Sequence, residues 1–147
     1  MRFMHEQPDG GVTIYPAASK ENLEQVLGPL TQEDYMAHVI DKSTPPGVKE
    51  IIVLADDWKA PESREFRNAW KIEDGQVSVD MPRARDIHRD RLRAARAPQL
   101  VELDILALKT FSGEVAMRME DIVEAKQKLR DAPSHPAIEG AETPDAL

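Results

Sequence analysis

The 147-residue sequence contains no cysteine. Disulfide bonds, thiolate nucleophiles and cysteine-ligated zinc are therefore excluded. Aromatic residues make up only 5% of the chain, so we expect a core of aliphatic side chains. No apolar run is long enough for a membrane span or a signal peptide. We therefore expect an intracellular protein that folds without disulfides or metals.

Positive charge is also scarce. The chain has 19 basic and 27 acidic residues, which gives a formal net charge of −8. This balance argues against general nucleic-acid binding by the whole molecule. Six of the basic residues are nevertheless arginines within residues 80–96, DMPRARDIHRDRLRAAR. A local basic surface is therefore compatible with the acidic total.

Residues 1–80 are predicted to mix strands and helices. The PDGG sequence at 8–11 is typical of a tight turn and predicts a β-hairpin. Ser19 and Thr31 are suitable N-caps, so a helix is predicted after each. The unbroken aliphatic run at 51–54 is typical of a strand that is covered on both faces.

A second hairpin is predicted around Asp74 and Gly75, because this dipeptide favours a two-residue turn between alternating strands. Alternation with a period of two places one set of apolar side chains on a single face. That predicted apolar face consists of Trp70, Ile72, Val77 and Val79.

Residues 81–132 are predicted to form a helical hairpin, and residues 133–147 an acidic tail that is extended or lies over the body. Pro98 is predicted to kink or break the first helix. Residues 99–111 are mostly apolar, which predicts burial on most sides. The last helix is predicted from about Val115 to Arg130. The sequence therefore favours an α+β fold with three parts, 1–80, 81–132 and 133–147.

The arginine-rich helix allows three interpretations. A helical projection places an apolar line inward and the arginines over most of the remaining surface. The arginines then form a solvated face with Asp86–Arg89 and Asp90–Arg93 pairs, a docking surface for an acidic protein, or a contact for nucleic-acid phosphates. The inward line consists of Met81, Ala84, His88, Leu92 and Ala95. The candidate partner-binding residues are Arg83, Arg85, Arg89, Arg93 and Arg96.

No catalytic pattern accompanies these residues. The letters His88-Arg89-Asp90 occur in the catalytic loop of protein kinases, but Ala95 stands where that loop needs a metal-binding asparagine. No two histidines stand four residues apart with a glutamate, as a helical zinc site requires. We therefore predict no catalytic residue, no metal site and no cofactor.

Several segments between residues 66 and 133 resemble the helical-hairpin region of phage tail and tail-fibre assembly proteins, a group of small proteins from tailed bacteriophages and prophages. The segments are FRNAW, VDMPRARDIHRDRLRAAR, LVELDILAL and IVEAKQKLRDAP. Related assembly proteins often carry aromatic residues on the last helix, which reads AKQKLRD here. The positions that carry the resemblance are Arg93, Arg96, Leu103, Asp104, Lys126, Gln127, Leu129, Arg130, Asp131 and Pro133.

The shared acidic residue predicts a structural role. Asp104 lies on an otherwise apolar helix, and a buried carboxylate there needs a partner. Arg93, Arg96 or Arg130 could supply it if the two helices run antiparallel. The predicted structural ion-pair cluster therefore consists of Asp104, Arg130 and Asp131.

The resemblance implies a non-enzymatic virion protein that acts by protein–protein binding. It would be a tail or tail-fibre-associated component, or a helper in assembly, located in the virion or in the host cytoplasm during assembly. Its partners would be other virion proteins, and self-association is compatible with this role. The alternative is a small regulator or packaging factor that contacts DNA through the arginine-rich helix.

Overall fold

The first half of the chain combines short strands with two helices, and the second half consists mainly of helices, which confirms the predicted α+β class. The computed structural model describes residues 1–48 and 50–147. The chain divides into two units, residues 1–80 and residues 81–147.

The first unit is built around strand β1 (Arg2–Glu6), the central strand of an antiparallel sheet. It pairs with β2 (Val12–Pro16) on one side and with β3 (Ile52–Leu54) on the other. The predicted first hairpin is present, and Gly10 and Gly11 reverse the chain with φ angles of 88° and 91°. Glycine adopts such positive φ angles without steric conflict.

Strand β3 differs from its prediction. It contains only three residues and lies at the edge of the sheet. Leu54 is buried, but Val53 is exposed, because neighbouring side chains of a strand point to opposite faces. The expectation of a strand covered on both faces is therefore wrong.

Two capped helices cover one face of the sheet. Helix α1 (Lys20–Leu27) begins after Ser19, whose hydroxyl accepts a hydrogen bond from the amide of Asn22 at 3.2 Å. Helix α2 (Gln32–Ser43) begins after Thr31, which caps it in the same way. Both predicted N-caps are confirmed. The buried side chains of this layer are Phe3, Tyr35 and Val39.

The second hairpin packs against the other face of the sheet. Strands β4 (Trp70–Glu73) and β5 (Gln76–Val79) pair in the predicted register. Their turn has positive φ at Asp74 and Gly75, 50° and 73°, as a two-residue hairpin turn requires. All four side chains of the predicted apolar face join one core cluster, whose other buried members are Met4, Val12 and Leu54.

In the second unit, α3 (Met81–Phe111) and α4 (Met119–Asp131) form the predicted helical hairpin. Pro98 lies inside α3 and does not end it. Proline removes the hydrogen bond to the carbonyl four residues earlier, that of Ala94. Ala94 and Pro98 are both exposed, so water can hydrate this carbonyl and the helix continues.

Helix α3 ends in a glycine motif. Gly113 has a φ of 78°, its amide donates to the carbonyl of Thr110, and the amide of Glu114 donates to that of Lys109. This is the Schellman pattern of helix ends. The chain then needs a further connection, so α4 begins at Met119 and the predicted start near Val115 is wrong.

The C-terminal segment is folded onto α3. It contains α5 (Pro136–Gly140) between two short 3₁₀ turns, at Ala132–Ser134 and Pro144–Ala146. Its Ile138 and Ala141 are buried. The sequence left two alternatives for residues 133–147, an extended tail or a segment that lies over the folded part. The structure shows the second, so the expectation of an extended tail is wrong.

The fold generates a prediction about pH. His5 is 4% exposed, and its Nδ1 has no hydrogen-bond partner among the described residues. Burial lowers the pKa of this imidazole from its ordinary value of 6.5. As the pH falls through 6.5, the unfolded chain binds a proton that the folded chain does not, so the free energy of unfolding of the first unit should fall. The loss should stop below the lowered pKa, where both states are protonated.

Tryptophan fluorescence measures this, because the only two tryptophans, Trp58 and Trp70, both lie in the first unit. The variant His5→Leu should lose the part of the pH dependence that begins near 6.5, whereas the control His38→Gln on α2 should retain it. Equal pH dependence in wild type and His5→Leu would contradict the assignment to His5.

Candidate partner-binding surface

Three arginines of α3 face the rest of their own unit. Arg85, Arg89 and Arg96 stand four and seven residues apart, which places them on one side of a helix. We call these three the arginine row. Their side chains are partly buried, and all three bind residues 129–141. The predicted inward line is correct at Ala84 but wrong at Ala95, which is exposed.

Arg96 binds the carboxyl end of α4. Its Nη1 donates to the carbonyl of Arg130 at 2.7 Å and to that of Leu129 at 3.4 Å. The last carbonyls of a helix lack intrahelical partners and carry partial negative charge, so a guanidinium stabilises them. This contact joins the start of the C-terminal segment to α3.

Arg85 and Arg89 bind α5 and the residue that follows it. Arg85 Nη2 donates to the carbonyl of Ala141 at 2.8 Å, and Arg89 pairs with the carboxylate of Glu139. Arg89 also binds Asp86 at 2.9 Å, the predicted i,i+3 pair. The hydrogen bonds with Glu139 and with Asp86 raise the pKa of Arg89. Ile138, the residue before Glu139, is buried.

The other two candidate arginines differ in exposure. Arg93 is exposed and pairs with Asp90 at 2.6 Å, the second predicted i,i+3 pair. Arg83 is partly buried. The five candidates therefore do not form one free basic face, because three of them bind residues 129–141 and Arg93 pairs with Asp90.

The predicted cluster of Asp104, Arg130 and Asp131 does not form. The carboxylate of Asp104 is 66% exposed and pairs with Lys126 at 2.6 Å. Asp131 accepts a hydrogen bond from Gln127 at 2.8 Å, and among the described residues no ion pair of Arg130 occurs. The prediction failed because it assumed that Asp104 is buried, and an exposed carboxylate does not need an arginine.

Helix α3 presents apolar side chains on two opposite sides. Leu100, Leu103 and Leu106 are partly buried, and Leu103 and Leu106 line a groove with Leu129 of α4. Val101, Ile105 and Leu108 are exposed. The prediction that residues 99–111 are buried on most sides is therefore wrong, since α4 can cover only one side of the helix.

Exposed apolar side chains continue into the loop and α4, and we call this set the hairpin tip. Phe111 is 86% exposed and Leu108 is 70% exposed. The antiparallel course of α3 and α4, fixed by the Asp104–Lys126 pair, brings the end of α3 to the start of α4. Sequence reasoning missed this surface, although the 4-3-4-3 spacing of Ala94, Pro98, Val101, Ile105 and Leu108 indicates it. The hairpin tip consists of Val101, Ile105, Leu108, Phe111, Met117, Met119 and Val123.

Several other kinds of site are not found within residues 1–48 and 50–147. There, no group of three or more histidine or acidic side chains could hold a metal ion. No helix of this part of the chain is long and apolar enough to cross a membrane.

Comparison with protein-family models, with curated proteins and with solved structures gives no match to this chain.

The contacts of the C-terminal segment predict how it is held in the second unit. Ile138→Ala should lower the free energy of unfolding of the second unit by roughly 2–4 kcal/mol, the usual effect of removing a buried isoleucine side chain. Glu139→Gln should change it much less, because that carboxylate is 69% exposed. Far-UV circular dichroism follows this unit, which is almost entirely helical. If Glu139→Gln had the larger effect, the segment would be held by charge and not by apolar packing.

Proposed function

We propose that this chain is a non-enzymatic protein of a tailed bacteriophage, either a tail or tail-fibre-associated component or a helper in assembly. It acts by binding another virion protein through the hairpin tip. The observation that carries the binding role is the concentration of exposed apolar side chains at 101–123. The resemblance of residues 66–133 to phage tail and tail-fibre assembly proteins supports the phage assignment.

The physical argument rests on the hydrophobic effect. Contiguous apolar surface is unfavourable in water and marks interaction sites in soluble proteins. Burial of one fully exposed leucine or phenylalanine side chain contributes roughly 1.5–3 kcal/mol. Leu108 and Phe111 are the most exposed members of the hairpin tip, so they should contribute most to binding.

The charges around the hairpin tip specify the partner. Apart from Asp104, which is paired with Lys126, the exposed acidic residues in this region outnumber the basic ones. A partner with an apolar surface flanked by lysine or arginine would therefore match the hairpin tip in charge. The acidic residues are Glu102, Glu114, Glu120, Asp121 and Glu124, and the basic residues are Lys109, Arg118 and Lys128, of which Arg118 pairs with Glu120 and Lys128 with Glu124.

The alternative role, DNA contact through α3, has less support. Arg85, Arg89 and Arg96 bind the C-terminal segment, which reduces the number of guanidinium groups that could contact phosphates. We therefore place the chain with protein partners, in the virion or in the host cytoplasm during assembly.

A surface variant tests this proposal in a phage that encodes the chain. Leu108→Ser with Phe111→Ser should leave the free energy of unfolding within about 0.5 kcal/mol, because both side chains are exposed. The same variant should lower the yield of infectious particles, since the partner loses its apolar contact. The matched control is Val26→Ser with Leu27→Ser, two exposed apolar residues of α1, which should leave the yield unchanged.

Purified particles separate the two versions of the role. If mass spectrometry detects the wild-type chain in purified particles, the role of a virion component is supported. If the chain is absent from particles, the role of an assembly helper is supported. A normal particle yield with the Leu108→Ser, Phe111→Ser variant would contradict the proposed function.

A further inference from the structure

The first unit contains a cavity of about 210 Å³ on the side of the sheet that faces the second hairpin. Trp70 and Val12, both members of the core cluster, form part of its wall. Trp58 lines it as well. Water occupies roughly 30 Å³ per molecule in the liquid, so a small polyatomic ion fits this cavity and a large cofactor does not.

Three arginines line the same cavity. They are Arg2 at the start of β1, Arg64 in the loop that follows β3, and Arg67 in the 3₁₀ turn before β4. Among the described residues no acidic side chain lines it. This arrangement is unusual in a chain with a formal charge of −8, because like charges gathered at one place repel each other.

Arg2 is held in place by its own contacts. Its Nη2 donates to the carbonyl of Trp58 at 2.9 Å, and its Cζ lies 5.8 Å from the centre of the Trp58 ring. A guanidinium has five N–H donors, and these contacts use only part of them. Arg2 is therefore oriented in advance and still has hydrogen atoms to donate.

Arg64 and Arg67 differ from Arg2 in having no bound partner. Within the part of the chain that the structure describes, their guanidinium groups make no hydrogen bond or ion pair. Both residues are exposed, so each can turn toward a ligand without disturbing the core. Two full sets of charged donors are thus available beside Arg2.

The indoles provide a second, independent indication. The Nε1 atoms of Trp58 and Trp70 are buried and have no hydrogen-bond acceptor among the described residues. Trp70 is only 5% exposed. A buried donor without an acceptor is unfavourable, and both indoles belong to the same wall as the three arginines, so this wall combines unsatisfied donors with no acidic acceptor.

We propose that this cavity is a phosphate-binding site. A phosphate group has more acceptor oxygens and more negative charge than a carboxylate, and so it matches three guanidinium groups better. Trp70 is buried and Arg2 lies over one face of Trp58, which leaves little indole surface for stacking on a nucleobase. The site recognises the phosphate itself, either free or as part of a nucleotide or nucleic-acid backbone.

Tryptophan fluorescence reports directly on this site, because both tryptophans of the chain line the cavity. Titration with inorganic phosphate at constant ionic strength should give a saturable change, and acetate or chloride should not. The double variant Arg64→Gln, Arg67→Gln should weaken phosphate binding by about tenfold or more, as expected for the loss of two charged donors. The control Arg118→Gln removes one exposed arginine of the second unit and should bind as the wild type does.

Thermal unfolding provides a second measurement. Phosphate at constant ionic strength should raise the midpoint of the wild type and not that of the double variant, because a ligand stabilises the state that binds it. If the double variant does not fold, the single variant Arg64→Gln and the wild-type titration decide the matter. The proposal would be overturned if the wild type responded equally to phosphate and to chloride. It would also be overturned if wild type and variant bound phosphate with equal affinity.

Two further titrations identify the source of the phosphate. If adenosine monophosphate binds with the same affinity as inorganic phosphate, the site recognises the free phosphate group. If a short single-stranded oligonucleotide binds more tightly than either, the site recognises a nucleic-acid backbone. Both results support a phosphate site. The Leu108→Ser, Phe111→Ser variant should bind phosphate normally, so failure of this site and failure of the hairpin tip can be distinguished.

Discussion

Three guanidinium groups of α3 bind backbone and carboxylate oxygens of residues 129–141, a stretch of chain that also contains the buried Ile138. Arg96 joins α3 to the end of α4, and Arg85 and Arg89 join it to α5 and Ala141. Two of these three contacts include main-chain carbonyls, so they depend on the path of the backbone more than on the identity of the contacted side chain. The segment can therefore keep its position while most of its exposed side chains vary.

This arrangement determines what is left for a partner. The C-terminal segment binds the amino-terminal half of α3 through Arg85 and Arg89, whereas α4 packs on one side of its carboxyl-terminal half. The opposite side of that second half remains apolar and exposed, with Val101, Ile105 and Leu108. Polar side chains in the first half of α3 therefore bind their own unit, whereas the second half leaves apolar side chains exposed to water. We propose that this exposed apolar side is the binding surface.

The sequence predicted the elements whose signals are local. The turn at Asp74 and Gly75, with alternation on both sides, was enough to fix a register, and the caps Ser19 and Thr31 were enough to start two helices.

Several predictions that depended on burial failed. Val53 and Asp104 were both expected to be buried, and both are exposed. Periodicity places a residue on a side of an element, but tertiary packing decides whether that side is covered. The internal contacts of the arginine row were missed for the same reason, because the sequence does not show that residues 129–141 lie against α3 and supply the acceptors.

The order of the strands has a consequence for folding kinetics. Strand β1 is the centre of its sheet, but one neighbour, β3, follows only after α1 and α2, since Arg2 pairs with Leu54. Closing this long loop loses chain entropy before the three-residue pairing returns any stabilisation. Helices α3 and α4 are adjacent in the chain, so the helical hairpin should reach its native topology before β3 joins the sheet after dilution from denaturant.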